Sequence, residues 1–193
     1  MSRRDAVVAI PPHSWTLAAA GRIEARRGGL KITSTLEWSL LAAATVFNGI
    51  LAGGSLIKSV VELPARRTIG LPAMAAYHRA TDLRTGFWIY PALGLGAPIL
   101  TIALAIAFAV DRGAPMAAAS FGYLAAALSL AHVFATTRAA PNLLQLRSGV
   151  SEEAVLAGVY RAFTSWQTVR AILQLAGFVA VVLAWAFLAP LGQ

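Results

Sequence analysis

Four long apolar runs, separated by shorter polar stretches, dominate the hydrophobic pattern of the chain. They cover residues 36–57, 87–110, 116–137 and 168–188. An α-helix rises ~1.5 Å per residue, so each run is long enough to cross the ~30 Å hydrocarbon layer of a membrane. The pattern therefore predicts four transmembrane helices.

The connections between the runs predict how these helices are arranged. Residues 111–115 form one very short connection, and the other two connections are of moderate length. Connections of this kind favour antiparallel neighbours. We predict an all-α protein, a transmembrane up-down-up-down four-helix bundle over residues 36–190, preceded by a basic N-terminal tail over residues 1–35.

The connection after the first run carries two local patterns. Between Pro72 and Thr85 the residues alternate as in a short amphipathic helix, which we expect to lie flat at the membrane interface. Its faces are expected to hold Met74, Tyr77 and Ala80 on one side and His78, Arg79 and Asp82 on the other. His78 is expected to be exposed and without a special role.

Lys58 and Glu62 form the second pattern in this connection. They are four residues apart, a spacing that places two side chains on one face of a helix. We predict an ion pair at the rim of the membrane.

Composition supports the membrane assignment. The chain is 58% hydrophobic and 12% charged, and its mean hydropathy is +0.68, well outside the balance of soluble domains. The net charge of +8 lies outside the apolar runs, which favours contact with anionic lipid headgroups over nucleic acid. We expect a multi-pass protein of a bacterial inner membrane that contacts the lipid bilayer and does not bind nucleic acid.

Polar residues within the runs converge in one leaflet. In an up-down bundle, the second half of runs one and three lies beside the first half of runs two and four. His132 and Thr136 share a helix face, as do Arg170 and Gln174, because each pair is four residues apart. Ionisable residues at membrane depth usually face the bundle interior. The set expected in this leaflet is Asn48, Ser55, Lys58, Tyr90, His132, Thr136, Thr137, Gln167, Arg170 and Gln174.

Two structural interpretations of this polar set stay open. Asn48, His132 and Gln174 would hydrogen-bond one another and simply hold the helices together. Arg170 would be an interfacial anchor whose guanidinium reaches the lipid phosphates.

The sequence argues against the common metal and cofactor sites. The chain has no cysteine, and its histidines, His13, His78 and His132, are far apart in the sequence. It has no H-E-x-x-H motif, phosphate loop or Ser/His/Asp arrangement. We expect no metal and no cofactor.

Three segments carry a resemblance to a known family. They are VFNGILAGGSLIKSVVELPA in the first run, APNLL after the third, and SWQTVRAILQLAGF at the start of the fourth. In these motifs the chain resembles the anthrone oxygenase-like family of small four-helix integral membrane proteins, many known only as a domain of unknown function. Relatives often have His or Asn three residues before the arginine of the last segment, where this chain has Gln167.

The resemblance implies an oxidoreductase that converts anthrones to anthraquinones with O₂ and no evident metal or flavin. It implies catalytic roles for His132 as the base and for Arg170 and Asn48 as charge-stabilising donors. Trp166 would form a wall of the pocket. The remaining substrate-binding residues expected there are Gln174, Thr136 and Tyr90.

Three functions therefore compete. The first is a cofactor-independent oxygenase acting on a lipophilic aromatic substrate. The second is a non-catalytic membrane subunit that docks on a larger membrane protein partner or forms a homo-oligomer, which the small-residue helix faces favour. The third is a binding protein for a lipophilic molecule.

Overall fold

Helices make up nearly the whole of the described chain. The computed structural model describes the backbone of residues 13–111 and 113–189, and the side chains of residues 35–111 and 113–189. The predicted basic tail thus lies largely outside the residues whose side chains are described. The chain divides into two units, Met1–Leu36 and Glu37–Gln193. The hydrophobic clusters, the cavity and the side-chain contacts described below lie in the second unit.

The helices follow one another with few breaks. Within the described residues, two five-residue π-helical turns and one 3₁₀ turn interrupt the α-helices. In chain order the elements are α1 (His13–Ile57), the first π-turn (Lys58–Glu62), α2 (Leu63–Ile69), α3 (Leu71–Ala80), the second π-turn (Thr81–Thr85), α4 (Gly86–Val110), α5 (Met116–Leu144), the 3₁₀ turn (Gln145–Ser148) and α6 (Glu153–Leu188).

The described residues contain four helices long and apolar enough to cross a membrane: Thr35–Ile69, Leu71–Val110, Met116–Ser148 and Glu153–Leu188. The prediction of an all-α bundle of four membrane-spanning helices is confirmed. At ~1.5 Å per residue these helices reach ~50 Å or more, beyond the ~30 Å hydrocarbon layer. The additional turns lie at the end of the bundle where the sequence predicted interfacial connections.

The segment expected to lie flat at the interface is instead continuous with the second of the four long helices. Gly70, at φ +83°, makes the turn between the first and second spans, and the helix then continues from Leu71 to Val110. The exposure expected for His78 is wrong, because His78 is 0% exposed. Met74, His78 and Asp82 lie four residues apart and are all buried. The helix turns this face inward because α3 packs against α6.

Two hydrophobic clusters occupy the two ends of the bundle. The first is formed by the part of α1 around Leu41, the end of α4, the start of α5 and the end of α6. The second is formed by α2, α3, the end of α5 and the start of α6. Leu41, Leu104, Phe108, Ala125 and Val181 represent the first cluster, and Leu63, Met74, Leu146, Leu156, Tyr160 and Phe163 represent the second. The polar residues lie between the clusters along the helices.

Close packing of α4 against α5 depends on Gly122. A β-carbon added at Gly122 would lie 2.7 Å from the ring of Phe108, which is buried in the first cluster. We expect Gly122→Ala to lower the free energy of unfolding by about 1–3 kcal/mol, since the buried ring has to move. Gly53→Ala is the matched control, because a β-carbon there meets nothing within 4 Å. Thermal unfolding in detergent should separate the two variants, and equal melting temperatures would contradict this packing.

Candidate functional site in the bundle interior

A cavity of about 480 Å³ lies among the four spans. This volume is within the ~300–1,000 Å³ typical of small-molecule sites. Most of the lining is apolar, including Leu51, Val133 and Leu143. The polar lining residues are Ser55, Lys58, Asp82, Tyr90, His132, Thr136, Thr137, Arg170 and Gln174.

The cavity extends to residues on the outer surface of the bundle. Ile50, Phe87 and Leu95 belong to its lining and are 52%, 37% and 55% exposed. They lie on spans one and two, whose exposed side chains face lipid in a membrane. Exposed apolar side chains therefore border the opening of the cavity.

His132 supplies a possible base within this cavity. Its ring is 3% exposed, and Nδ1 lies 3.1 Å from the Ser129 carbonyl oxygen. A carbonyl oxygen only accepts hydrogen bonds, so Nδ1 carries the proton in this contact. In the neutral imidazole, Nε2 then holds the lone pair and is the atom that can take a proton.

Arg170 and Gln174 share one face of α6 and both line the cavity. Arg170 has no ion pair or side-chain hydrogen bond among the described residues. Its Nε is buried without a partner, as is Oε1 of Gln174. Buried polar atoms are normally hydrogen-bonded, so these two can still bind a polar group of a ligand. A guanidinium in this position favours an anionic oxygen.

Lys58 organises the opposite polar part of the lining. Its Nζ donates hydrogen bonds to Glu62 Oε2 at 2.8 Å and to Asp82 Oδ2 at 2.7 Å. The predicted pair of Lys58 with Glu62 is present, but Lys58 is buried rather than at the rim. The Tyr90 hydroxyl donates a hydrogen bond to Asp82 Oδ1 at 3.2 Å. One ammonium thus holds two carboxylates, which leaves one excess negative charge.

His78 and Tyr160 lie beside Asp82, next to the second hydrophobic cluster. The Tyr160 hydroxyl and His78 Nδ1 are hydrogen-bonded at 2.8 Å. His78 Nε2 lies 3.6 Å from Asp82 Oδ2, too long for a hydrogen bond, and the two would attract each other as charges only with a protonated imidazole. Both rings are almost fully buried.

The two π-turns position this ion cluster. Lys58 and Glu62 belong to the first π-turn and Asp82 to the second. A π-turn inserts a residue into the α-helical hydrogen-bond pattern, and such turns occur often at functional sites. Sequence reasoning missed the contact of Lys58 with Asp82. The four-residue spacing of Met74, His78 and Asp82 was the available signal, because it places the three side chains on one helix face rather than on two.

Five of the seven residues predicted for the site line the cavity. They are His132, Arg170, Gln174, Thr136 and Tyr90. Asn48 is outside the lining, and its Nδ2 donates to the Ala44 carbonyl oxygen of its own helix at 2.8 Å. Trp166 is also outside it and packs edge-to-face with Phe134. The expected roles of Asn48 as a donor to substrate and Trp166 as a wall therefore lack a contact with the cavity.

The structure also differs from the interpretation in which Asn48, His132 and Gln174 hydrogen-bond one another. Asn48 and His132 bond to backbone carbonyls of their own helices, and Gln174 Oε1 has no partner. Among the described residues these three side chains do not hydrogen-bond one another. Gln167 is one polar side chain that does join two helices, because its Nε2 donates to the Ser55 carbonyl oxygen at 3.4 Å and to Ser59 Oγ at 3.3 Å.

Comparison with known proteins gives no relative for this chain. Neither a protein-family model, nor a curated protein, nor a solved structure matches it. Within the described residues, no group of three or more His, Cys, Asp or Glu side chains is placed to hold a metal ion. The interpretation of the cavity therefore depends on its own residues.

Proposed function

We propose that this protein is a membrane oxidoreductase that binds a lipophilic, weakly acidic aromatic molecule in the cavity and promotes its oxidation by O₂. The observation that supports the proposal best is the combination within one apolar cavity of a histidine whose Nδ1 is held as a donor and an arginine that has no ion pair or side-chain hydrogen bond among the described residues. The resemblance to the anthrone oxygenase-like family favours an anthrone as the substrate. We place the protein in a bacterial inner membrane.

The reaction begins with a proton transfer. Neutral His132 accepts a proton from the acidic CH₂ group of the anthrone at Nε2, and the electron pair of the broken C–H bond delocalises onto the carbonyl oxygen. Arg170 stabilises this developing negative charge, which is worth most in a cavity that excludes water. A positioned general base typically contributes ~10²–10⁴-fold to the rate.

Oxygen then reacts with the electron-rich anion. The carbanion carbon forms a bond to O₂, which is reduced to a peroxide, and the proton held by His132 returns to the terminal oxygen. The resulting hydroperoxide loses its remaining C–H proton and breaks its O–O bond, giving the quinone carbonyl and one water. One anthrone and one O₂ are consumed for each quinone and water formed.

The direct test supplies emodin anthrone and O₂ to the full-length protein in lipid nanodiscs. We expect quinone formation above the rate of spontaneous oxidation, with one O₂ consumed per quinone. Gly54→Leu should abolish it, because Gly54 lines the cavity and has open space for the leucine side chain. A leucine at this position takes up space that the substrate needs, whereas the fold has no clash to relieve.

Gly53→Leu is the matched control for this experiment. Gly53 is the preceding residue on the same helix, is exposed, also has open space around it and is outside the cavity lining. It should retain both turnover and thermal stability. Binding of emodin anthrone without quinone formation would replace the oxidoreductase with a binding protein for lipophilic aromatics. Equal activity of the Gly54 and Gly53 variants would remove the cavity from the function.

A further inference from the structure

The ion cluster of Lys58, Glu62 and Asp82 is more elaborate than packing requires. A buried ion cluster is seldom more stable than apolar side chains of similar volume. This one is also built from two π-turns, each of which departs from regular α-helical hydrogen bonding. Both features lower the stability of the fold relative to regular helices with apolar packing, and they occur together where Lys58 and Asp82 line the cavity.

The cluster joins the cavity to a more accessible residue. Side-chain exposure is 4% for Asp82 and 5% for Lys58, but 26% for Glu62. Glu62 lies directly before α2, whose last turn carries Arg66 and Arg67. The hydrogen bonds at 2.7 Å and 2.8 Å therefore connect a cavity-lining carboxylate with a partly exposed one, at the end of the bundle rich in basic residues.

We propose that Asp82, Lys58 and Glu62 form a proton port, which exchanges protons between the cavity and the aqueous phase. The inference rests on the proposed binding of a weakly acidic lipophilic ligand. Such a molecule crosses hydrocarbon in its neutral form, and Arg170 favours its anion once bound. His132 returns the proton that it takes from the anthrone, but a phenolic hydroxyl that ionises beside Arg170 releases a further proton. This proton needs a destination in water, because apolar side chains border the rest of the opening.

The transfer is balanced within the cluster. Asp82 takes up a proton from the cavity, Lys58 passes one of its ammonium protons to Glu62, and Lys58 then takes the proton from Asp82. Glu62 releases its proton to water, and the cluster returns to its starting charges. The titratable and charged groups around Asp82 are Lys58 and Glu62 on the first π-turn, His78 on α3, Tyr90 on α4, and Tyr160 and Arg170 on α6.

The branch through His78 does not provide an exit. His78 and Tyr160 are 0% and 1% exposed, and both belong to the buried surroundings of the second hydrophobic cluster. The two side chains bond to each other at 2.8 Å instead. The route through Glu62 is therefore the one that the experiment tests.

The test follows the ionisation of a bound phenol in real time. The probe is emodin, whose absorption changes when a hydroxyl group ionises, bound to the full-length protein in lipid nanodiscs and mixed rapidly with alkaline buffer. Glu62→Gln keeps a hydrogen-bond acceptor for Lys58 but cannot carry a proton. We expect it to slow ionisation by about tenfold or more with unchanged emodin affinity. Added acetate should restore the rate by carrying protons in place of Glu62.

The control is Glu153→Gln, which removes an exposed carboxylate at the start of α6 and should leave the rate unchanged. An unchanged rate in Glu62→Gln overturns the port. So does a slow rate that acetate does not restore, because that result assigns Glu62 a purely structural role. If emodin does not bind to the wild-type protein, the proposed function fails and the port fails with it. Normal binding with an unchanged rate removes the port alone.

Discussion

His132→Ala should lower quinone formation from emodin anthrone by about 10²–10⁴-fold, the contribution of a positioned general base. The affinity for the substrate should change little, because the cavity is lined mostly by apolar side chains that stay in place. Steady-state kinetics should therefore show a loss in kcat with a similar KM. The fold should survive the substitution, because the ring of His132 donates its hydrogen bond to a carbonyl oxygen of its own helix and not to a neighbouring helix.

Imidazole in solution distinguishes a base from a structural residue. His132→Ala leaves a space beside the cavity, and added imidazole should restore part of the activity if His132 transfers a proton. Tyr123→Phe is the control, because Tyr123 is exposed on the same helix and outside the cavity lining. If His132→Ala retains most of the activity, the base assignment is wrong and the cavity binds its ligand without this chemistry.

Lys58→Met should be the most damaging single change to stability. It leaves the carboxylates of Asp82 and Glu62 close together without their shared cation, and Asp82 is buried. Removal of one partner from a buried ion pair typically costs about 3–5 kcal/mol. We expect a corresponding fall in the free energy of unfolding, measured by thermal or denaturant unfolding in detergent.

A second substitution should recover part of this loss. In Lys58→Met with Asp82→Leu the uncompensated buried carboxylate is gone, so the double variant should be more stable than Lys58→Met alone. Arg84→Met is the control, because Arg84 is an exposed cation on the second π-turn, and exposed substitutions usually stay within about 0.5 kcal/mol of wild type. A double variant less stable than Lys58→Met would contradict the assigned ion pairing.

The candidate site was predictable only in the parts that follow helix spacing and depth. His132, Thr136, Arg170 and Gln174 were placed in one leaflet from the order of the spans, and all four line the cavity. Asn48 is buried, but its amide bonds to its own backbone and lies outside the cavity lining. Depth follows from position along a helix, whereas direction depends on the rotation that packing imposes.

The sequence by itself determined the four spans. Apolar runs of that length are most stable in the hydrocarbon core of a membrane, and there they form helices because a helix satisfies its backbone hydrogen bonds internally. It did not determine the ion cluster. Lys58 and Asp82 are 24 positions apart, and His78 and Tyr160 are 82 apart. Two π-turns and the packing of α3 on α6 bring these residues together. Only the tertiary structure decided these contacts, since a local pattern specifies which face of a helix is polar but not which distant charge that face will meet.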